Sequence, residues 1–151
     1  MVSIGIDVNK VAEELSEFIP TKELLWASSE ADELGANLII LAFKVGNCRF
    51  INRMNIILRY LPLISEVLWM RVEIIISSDL PAKDFLTRIY NELIRSGAEV
   101  AVKKDSISAI YKLNLNSVRE NIKSVINNVK EILGCSSLEI NYLGFEVMNI
   151  G

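Results

Sequence analysis

The chain reads as one α+β domain: two amino-terminal helices, then a βαβαββαβ unit with a mostly antiparallel sheet and a ferredoxin-like carboxyl-terminal portion. Three observations predict this. Apolar residues recur at helical spacing over the first 34 positions. Leu38–Val45 and Leu68–Ser77 are nearly continuous apolar runs of strand length. The stretch from Leu68 to Met148 orders its elements β-α-β-β-α-β. At 151 residues one domain is the expectation. It divides into an acidic helical part over 1–35 and a sheet-containing core over 36–151.

Val8, Val11, Ala12, Leu15, Phe18 and Ile19 form the stripe of a first helix behind an Asp7 cap, and Pro20 ends it. Thr21 can cap a second helix through Leu24, Leu25, Trp26, Ala31 and Leu34, which Gly35 terminates. A buried strand over Leu38–Val45 follows, then a turn at Gly46. Phe50, Met54, Ile57, Leu58 and Leu61 share one stripe of a third helix, with Arg49, Asn52, Arg53 and Arg59 on its polar side and Pro62 as its stop. Leu68–Ser77, rich in Val, Ile and Trp, reads as a central strand. Ser78 or Asp79 can cap a fourth helix with Pro81 in its first turn and Phe85, Leu86, Ile89, Leu93 and Ile94 inward, closed by Gly97. Val100 and Val102 alternate with polar residues, as do Ile107, Ala109, Tyr111 and Leu113, about a turn at Lys104-Asp105. Ser117 and Glu120 have capping-box spacing ahead of a helix from Val118 to Leu133, stopped by Gly134. Leu138, Ile140 and Tyr142 begin a last strand, with a bulge at Gly144.

Composition excludes more than it assigns. The chain is 51% hydrophobic with a mean hydropathy of +0.33, yet its longest apolar stretches are broken by Lys44 or by Arg59, Pro62 and Glu66, short of the roughly 20 residues a span requires. No membrane segment is expected. Asp7 interrupts the amino terminus where an export signal needs apolar residues, so a cytoplasmic location is expected. There Cys48 and Cys135 read as two ordinary thiols. With no His and no carboxylates at calcium-loop spacing, neither a metal nor a cofactor is expected.

Candidate catalytic groups each have a plainer role. Ser77 and Ser78 precede a helix but lack a His base, and capping accounts for them. Glu13 with Glu17, and Glu30 with Glu33, fit a solvated helix face. Lys103 and Lys104 beside a hairpin turn discourage edge-to-edge strand pairing. An enzyme built on Asp79 or Asp105 with a lysine lacks an activating neighbour.

Charge is the informative feature. Residues 1–35 hold eight acids against Lys10 and Lys22, a balance of −6 in a chain of net charge −3. No acid falls between Glu33 and Glu66, while Lys44, Arg49, Arg53 and Arg59 all do. On a helix, Arg49 and Arg53 lie one turn apart, and with Lys44 and Arg59 they can meet phosphates or an acidic partner, or else pair with the protein's own acidic second helix. No aromatic stacking signature accompanies them.

Residues 45–89 resemble the kinase-binding subunit of the KEOPS complex. The shared pattern is an apolar strand, a glycine turn at Gly46, a helix over Asn47–Leu61, and a strand with Glu before aliphatics (Glu73-Ile74-Ile75-Ile76) leading into another helix. Met70–Leu133 is similar in element order to the small dimerisation subunit of that complex. The resemblance implies a non-catalytic accessory subunit that docks on a small kinase and helps present tRNA for threonylcarbamoylation. A ferredoxin-like homodimeric regulatory or small-ligand domain is the alternative expectation.

Overall fold

Met54, Ile56, Leu58 and Tyr60 are all buried, and this period of two decides the middle of the chain. In the computed structural model, which describes residues 5–79 and 82–151, Ile51–Leu61 is a strand. The helix expected over Asn47–Leu61 is therefore corrected to a turn followed by a strand. Its apolar residues fit a helical stripe equally well. Pairing with Leu38–Gly46 on one edge and Glu66–Ser77 on the other selects the strand, because it occupies the backbone groups on both sides.

The elements in order are β1 (Ile6–Asp7), α1 (Val8–Glu14), α2 (Thr21–Leu34), β2 (Leu38–Gly46), β3 (Ile51–Leu61), β4 (Glu66–Ser77), α3 (Lys83–Arg95), β5 (Glu99–Val102), β6 (Ser106–Leu113), a 3-10 turn (Leu115–Ser117), α4 (Val118–Leu133) and β7 (Glu139–Met148). The main sheet runs β5-β6-β4-β3-β2-β7, with β1 added beside β4. Every pairing is antiparallel.

The α+β class holds, and the ferredoxin-like portion is opened by an insertion. β4-α3-β5-β6-α4-β7 follows the expected order, and β5-β6-β4 are neighbours. A ferredoxin-like unit would seat its last strand beside its first. Here the β2–β3 hairpin stands between them, so β7 pairs with β2.

All the helices cover one face. Ile39, Leu41 and Phe43 of β2, Val72, Ile74 and Ile76 of β4, and Ile107 and Ala109 of β6 are buried against Leu15, Leu24, Ile89, Leu93, Ile122 and Val129 in one core. The intervening residues Ile40, Ala42, Ile57 and Ile75 are only half-buried. The strand at Leu38–Val45, expected to be covered on both faces, is thus covered on one. Among the described residues no element lies over the other face.

Local signals place most boundaries. Asp7 caps α1 by accepting from the Asn9 N–H at 2.7 Å, and Gly35 and Gly134 end α2 and α4 in left-handed conformation. Gly5 is required by contact: a Cβ there would stand 2.6 Å from the Val67 carbonyl oxygen. Three expected caps fail. Pro20 rather than Thr21 holds the N-cap of α2. Ser117 stands at the N-cap of α4 without a side-chain bond. The α3 helix starts at Lys83 behind Ala82, while the Ser78 hydroxyl donates to the Lys104 carbonyl at 3.1 Å; Pro81 lies outside the described residues.

Two ties join distant segments. The Asp32 carboxylate on α2 accepts from the Tyr60 hydroxyl and the Leu63 N–H, each at 2.8 Å. This holds a β3–β4 turn in which Leu63 and Ser65 have positive φ. Cys48 and Cys135, expected as free thiols, form a disulfide between the β2–β3 turn and the residue after Gly134, with Cα atoms 5.4 Å apart. The reading as thiols fails because sequence spacing carries no information about this approach.

Candidate functional site

The uncovered sheet face is where the basic residues gather, because strand alternation sends Arg53 and Arg59 of β3 to the side opposite Met54, Ile56, Leu58 and Tyr60. Cross-strand register fills in the rest. Arg59 lies opposite Leu38 on β2 and Trp69 on β4; Ile57 lies opposite Ile40 and Arg71; Arg53 lies opposite Ile75. Beyond Arg71, β6 contributes Lys112. One step past the Phe43–Met54 pair, exposed Lys44 stands beside Arg53.

Three of the four expected site residues, Lys44, Arg53 and Arg59, therefore share a face, and Arg49 leaves it. Arg49 sits in the β2–β3 turn with its guanidinium carbon 4.6 Å from the Phe50 ring centroid. It lines a hollow of about 660 Å³ beside the disulfide. The expected Arg49–Arg53 pair on one helix face does not form, since their segment is not helical. Trp69 and Arg71 take its place. The Arg71 guanidinium carbon lies 4.1 Å from the Trp69 ring centroid, which is cation–π distance. The expectation that no aromatic accompanies the arginines is corrected by this pair. Its signal was available in the sequence: Trp69, Arg71, Glu73 and Ile75 alternate with Met70, Val72, Ile74 and Ile76.

Charge is segregated across the sheet. Glu14 at the end of α1 and Glu17 in the turn after it are taken up within the helix layer, where Arg119 lies 3.9 Å from Glu14 and 3.8 Å from Glu17, and Lys123 lies 3.1 Å from Glu17. Among the described residues Lys44, Arg53, Arg59 and Arg71 enter no ion pair. The reading in which the acidic second helix neutralises the basic segment is thus not realised. On the open face the acids lie mostly at the margins. Glu99 at the β5 edge pairs with Lys112 at 3.3 Å, and Glu139 and Glu146 lie on the β7 edge. β4 carries two acids, Glu66 at its start opposite Leu61 and Glu73 in its middle; Glu73 accepts from the Asn55 side-chain amide at 3.0 Å. Asn55 is 9% exposed, and its Oδ1 is buried without a partner.

Between the charges the surface is aliphatic, with Ile40, Ile57, Ile75 and Ile110. A depression of about 250 Å³ lies among Arg53, Ala42, Leu143, Gly144 and Glu146. Small residues cause it, because Ala42 and Gly144 are direct neighbours across β2 and β7. The expected bulge is there too, with Leu143 left out of the register before Gly144.

The remaining candidates are structural or unassembled. Ser77 accepts from the Asp79 N–H at 3.2 Å, and the Ser78 N–H donates to Asp105 at 3.4 Å, so the backbone N–H groups of Ser78 and Asp79 are occupied. Lys103 and Lys104 occupy the β5–β6 turn. Among the described residues no three Cys, Asp or Glu side chains gather as metal ligands would, and no helix is long and apolar enough to cross a membrane. Three tyrosines are perturbed, all on the helix side. Burial raises the Tyr60, Tyr111 and Tyr142 hydroxyls above their ordinary pKa, and the Asp32 and Glu23 carboxylates add to this at Tyr60 and Tyr142. No protein-family model matches the chain, and no curated protein or solved structure shows significant similarity to it.

Proposed function

We propose that the chain is a non-catalytic interaction subunit that holds RNA against the uncovered face of its sheet. The observation that carries this reading is the set Lys44, Arg53, Arg59 and Arg71, free of ion pairs among the described residues and separated from the acidic helices by the sheet itself. Free cations over an aliphatic floor suit a polyanion, because they need not first break internal pairs. Two such faces brought together from two copies would oppose arginines to arginines, which disfavours self-association through this surface.

Four phosphate contacts give a salt slope on the order of −3, so affinity falls about 60-fold between 50 and 200 mM salt. Fluorescence anisotropy with labelled tRNA measures that slope. Arg53→Glu with Arg59→Glu leaves two contacts and a slope near −1.5, about an 8-fold fall over the same range. An unchanged slope in the double variant removes these two residues from the interface, and the absence of saturable binding removes the RNA.

A tRNA-modifying setting with a small kinase partner is the specific form that the KEOPS resemblance suggests; the cytoplasmic location, expected from Asp7, stands against the Cys48–Cys135 disulfide, a bond rare in reducing compartments. That resemblance was drawn partly on a helix over Asn47–Leu61, which is a strand. Co-purification at low salt tests it directly: a kinase and tRNA recovered together support it, and either one alone does not. A homodimer is favoured by a different observation, the outer edge of β7, whose Glu139–Met148 backbone pairs on one side only among the described residues. Light scattering on the purified chain decides that point.

A further inference from the structure

We infer that the RNA is bound as a single strand, with an unpaired base seated against the Trp69–Arg71 pair. This deepens the proposed function and rests on it. The indole and the guanidinium are neighbours two residues apart on β4, held 4.1 Å apart on the face that no described element covers. Arg59 stands directly opposite Trp69. An aromatic ring beside two guanidiniums that enter no ion pair among the described residues offers a stacking surface for any base and charges for the phosphates on either side of it.

Shape separates single strands from duplexes. Reading a duplex groove takes a helix or a ribbon that projects into it. This face projects neither: β2, β3, β4 and β6 lie side by side, with β3 and β4 in unbroken register from Arg53 to Arg59 and irregular just before and just after that stretch, and the helices are all behind them. Flat sheets with an aromatic platform are instead suited to splayed bases. The path on the surface is also set. Arg59 and Arg53 are six residues apart on β3, roughly 20 Å along the strand. A strand running from Trp69 over Ile57 toward Arg53 and Lys44 meets the depression at Ala42 and Gly144, which gives a second base somewhere to sit.

The test uses the whole chain and two labelled probes at one low salt concentration, a 12-nucleotide oligouridine and a 12-base-pair RNA duplex. The single strand binds at least 10-fold tighter than the duplex, and Trp69→Ala weakens it by roughly 10-fold or more with little effect on the duplex. Trp69→Phe keeps a ring and retains most of the affinity. A Trp26→Phe background leaves Trp69 as the sole indole, and its fluorescence is quenched on titration with oligouridine; this readout needs no destabilising change. Equal affinity for both probes, with no quenching, overturns the single-strand inference. If Arg53→Glu with Arg59→Glu still abolishes binding in that case, the RNA reading stands without it. Polyglutamate competing as well as oligouridine overturns both, since only charge would then be recognised.

Discussion

Tyr60 is fully buried, and Tyr60→Phe removes one oxygen while keeping the ring, so its effect reports hydrogen bonding rather than packing. The hydroxyl donates 2.8 Å to Asp32 Oδ1, which also accepts from the Leu63 N–H at 2.8 Å. A hydrogen bond to a charged group contributes about 1.5–3 kcal/mol. Asp32 is half-exposed, so water replaces part of the loss and the lower end applies, about 1.5 kcal/mol or roughly 3–6 °C in Tm for a domain of this size. Asp32→Ala removes both bonds and frees the strained turn, costing about 2.5–3 kcal/mol. Because the two changes remove the same bond, the double variant is little worse than Asp32→Ala alone, which gives a coupling energy of about 1.5 kcal/mol. Tyr142→Phe is the matched control. Its hydroxyl is buried beside the Glu23 carboxylate without a hydrogen bond of good geometry, so deleting it costs less than at Tyr60. Urea unfolding followed by circular dichroism, with unchanged m-values, measures all four variants. Additivity of the Tyr60 and Asp32 effects within about 0.5 kcal/mol would refute the tie between α2 and the β3–β4 turn.

Reduction of the disulfide, or Cys48→Ser, releases a loop spanning 87 positions. That lowers stability by about 4.6 kcal/mol and Tm by roughly 10–15 °C; a melt indifferent to reductant, with two alkylatable thiols, shows that the bond is not formed in solution. At high pH the three buried tyrosines act together. Each has a folded-state pKa above its unfolded value near 10, so their contribution is complete below about pH 10 and is lost as pH rises beyond it. In a Tyr90→Phe background, which removes the exposed fourth tyrosine, tyrosinate absorbance appears together with the loss of ellipticity, and ionisation well before unfolding contradicts their burial.

The helices were legible because their stops are chemical: Gly35, Gly97 and Gly134 each sit at positive φ, at or just after a helix carboxyl terminus. So were the β5–β6 hairpin and the irregularity at Gly144. The segment from Phe50 to Leu61 was not, because Met54, Leu58 and Leu61 satisfy a helical period while Met54, Ile56, Leu58 and Tyr60 satisfy a strand period. Only the neighbours β2 and β4 break the tie. For the site, the absence of acids between Glu33 and Glu66 pointed to the right residues in Lys44, Arg53 and Arg59. It could not expel Arg49, which depends on where the strand begins, nor recruit Trp69 and Arg71, whose place beside Arg59 is a matter of register. The insertion of β2 and β3 between β4 and β7 was equally out of reach, since element order is silent about which strands become neighbours.

The pairing of β7 with β2 has a consequence for how the molecule comes into being. β2 leaves the ribosome well ahead of its partner β7, with two helices and four strands made between them, so the apolar stretch Leu38–Phe43 waits, with one edge unsatisfied, until β7 has emerged. A nascent or prematurely terminated chain lacking residues 139–151 would display that edge to its neighbours. Chaperone occupancy and insolubility should therefore concentrate in carboxyl-terminally shortened products rather than in amino-terminal ones.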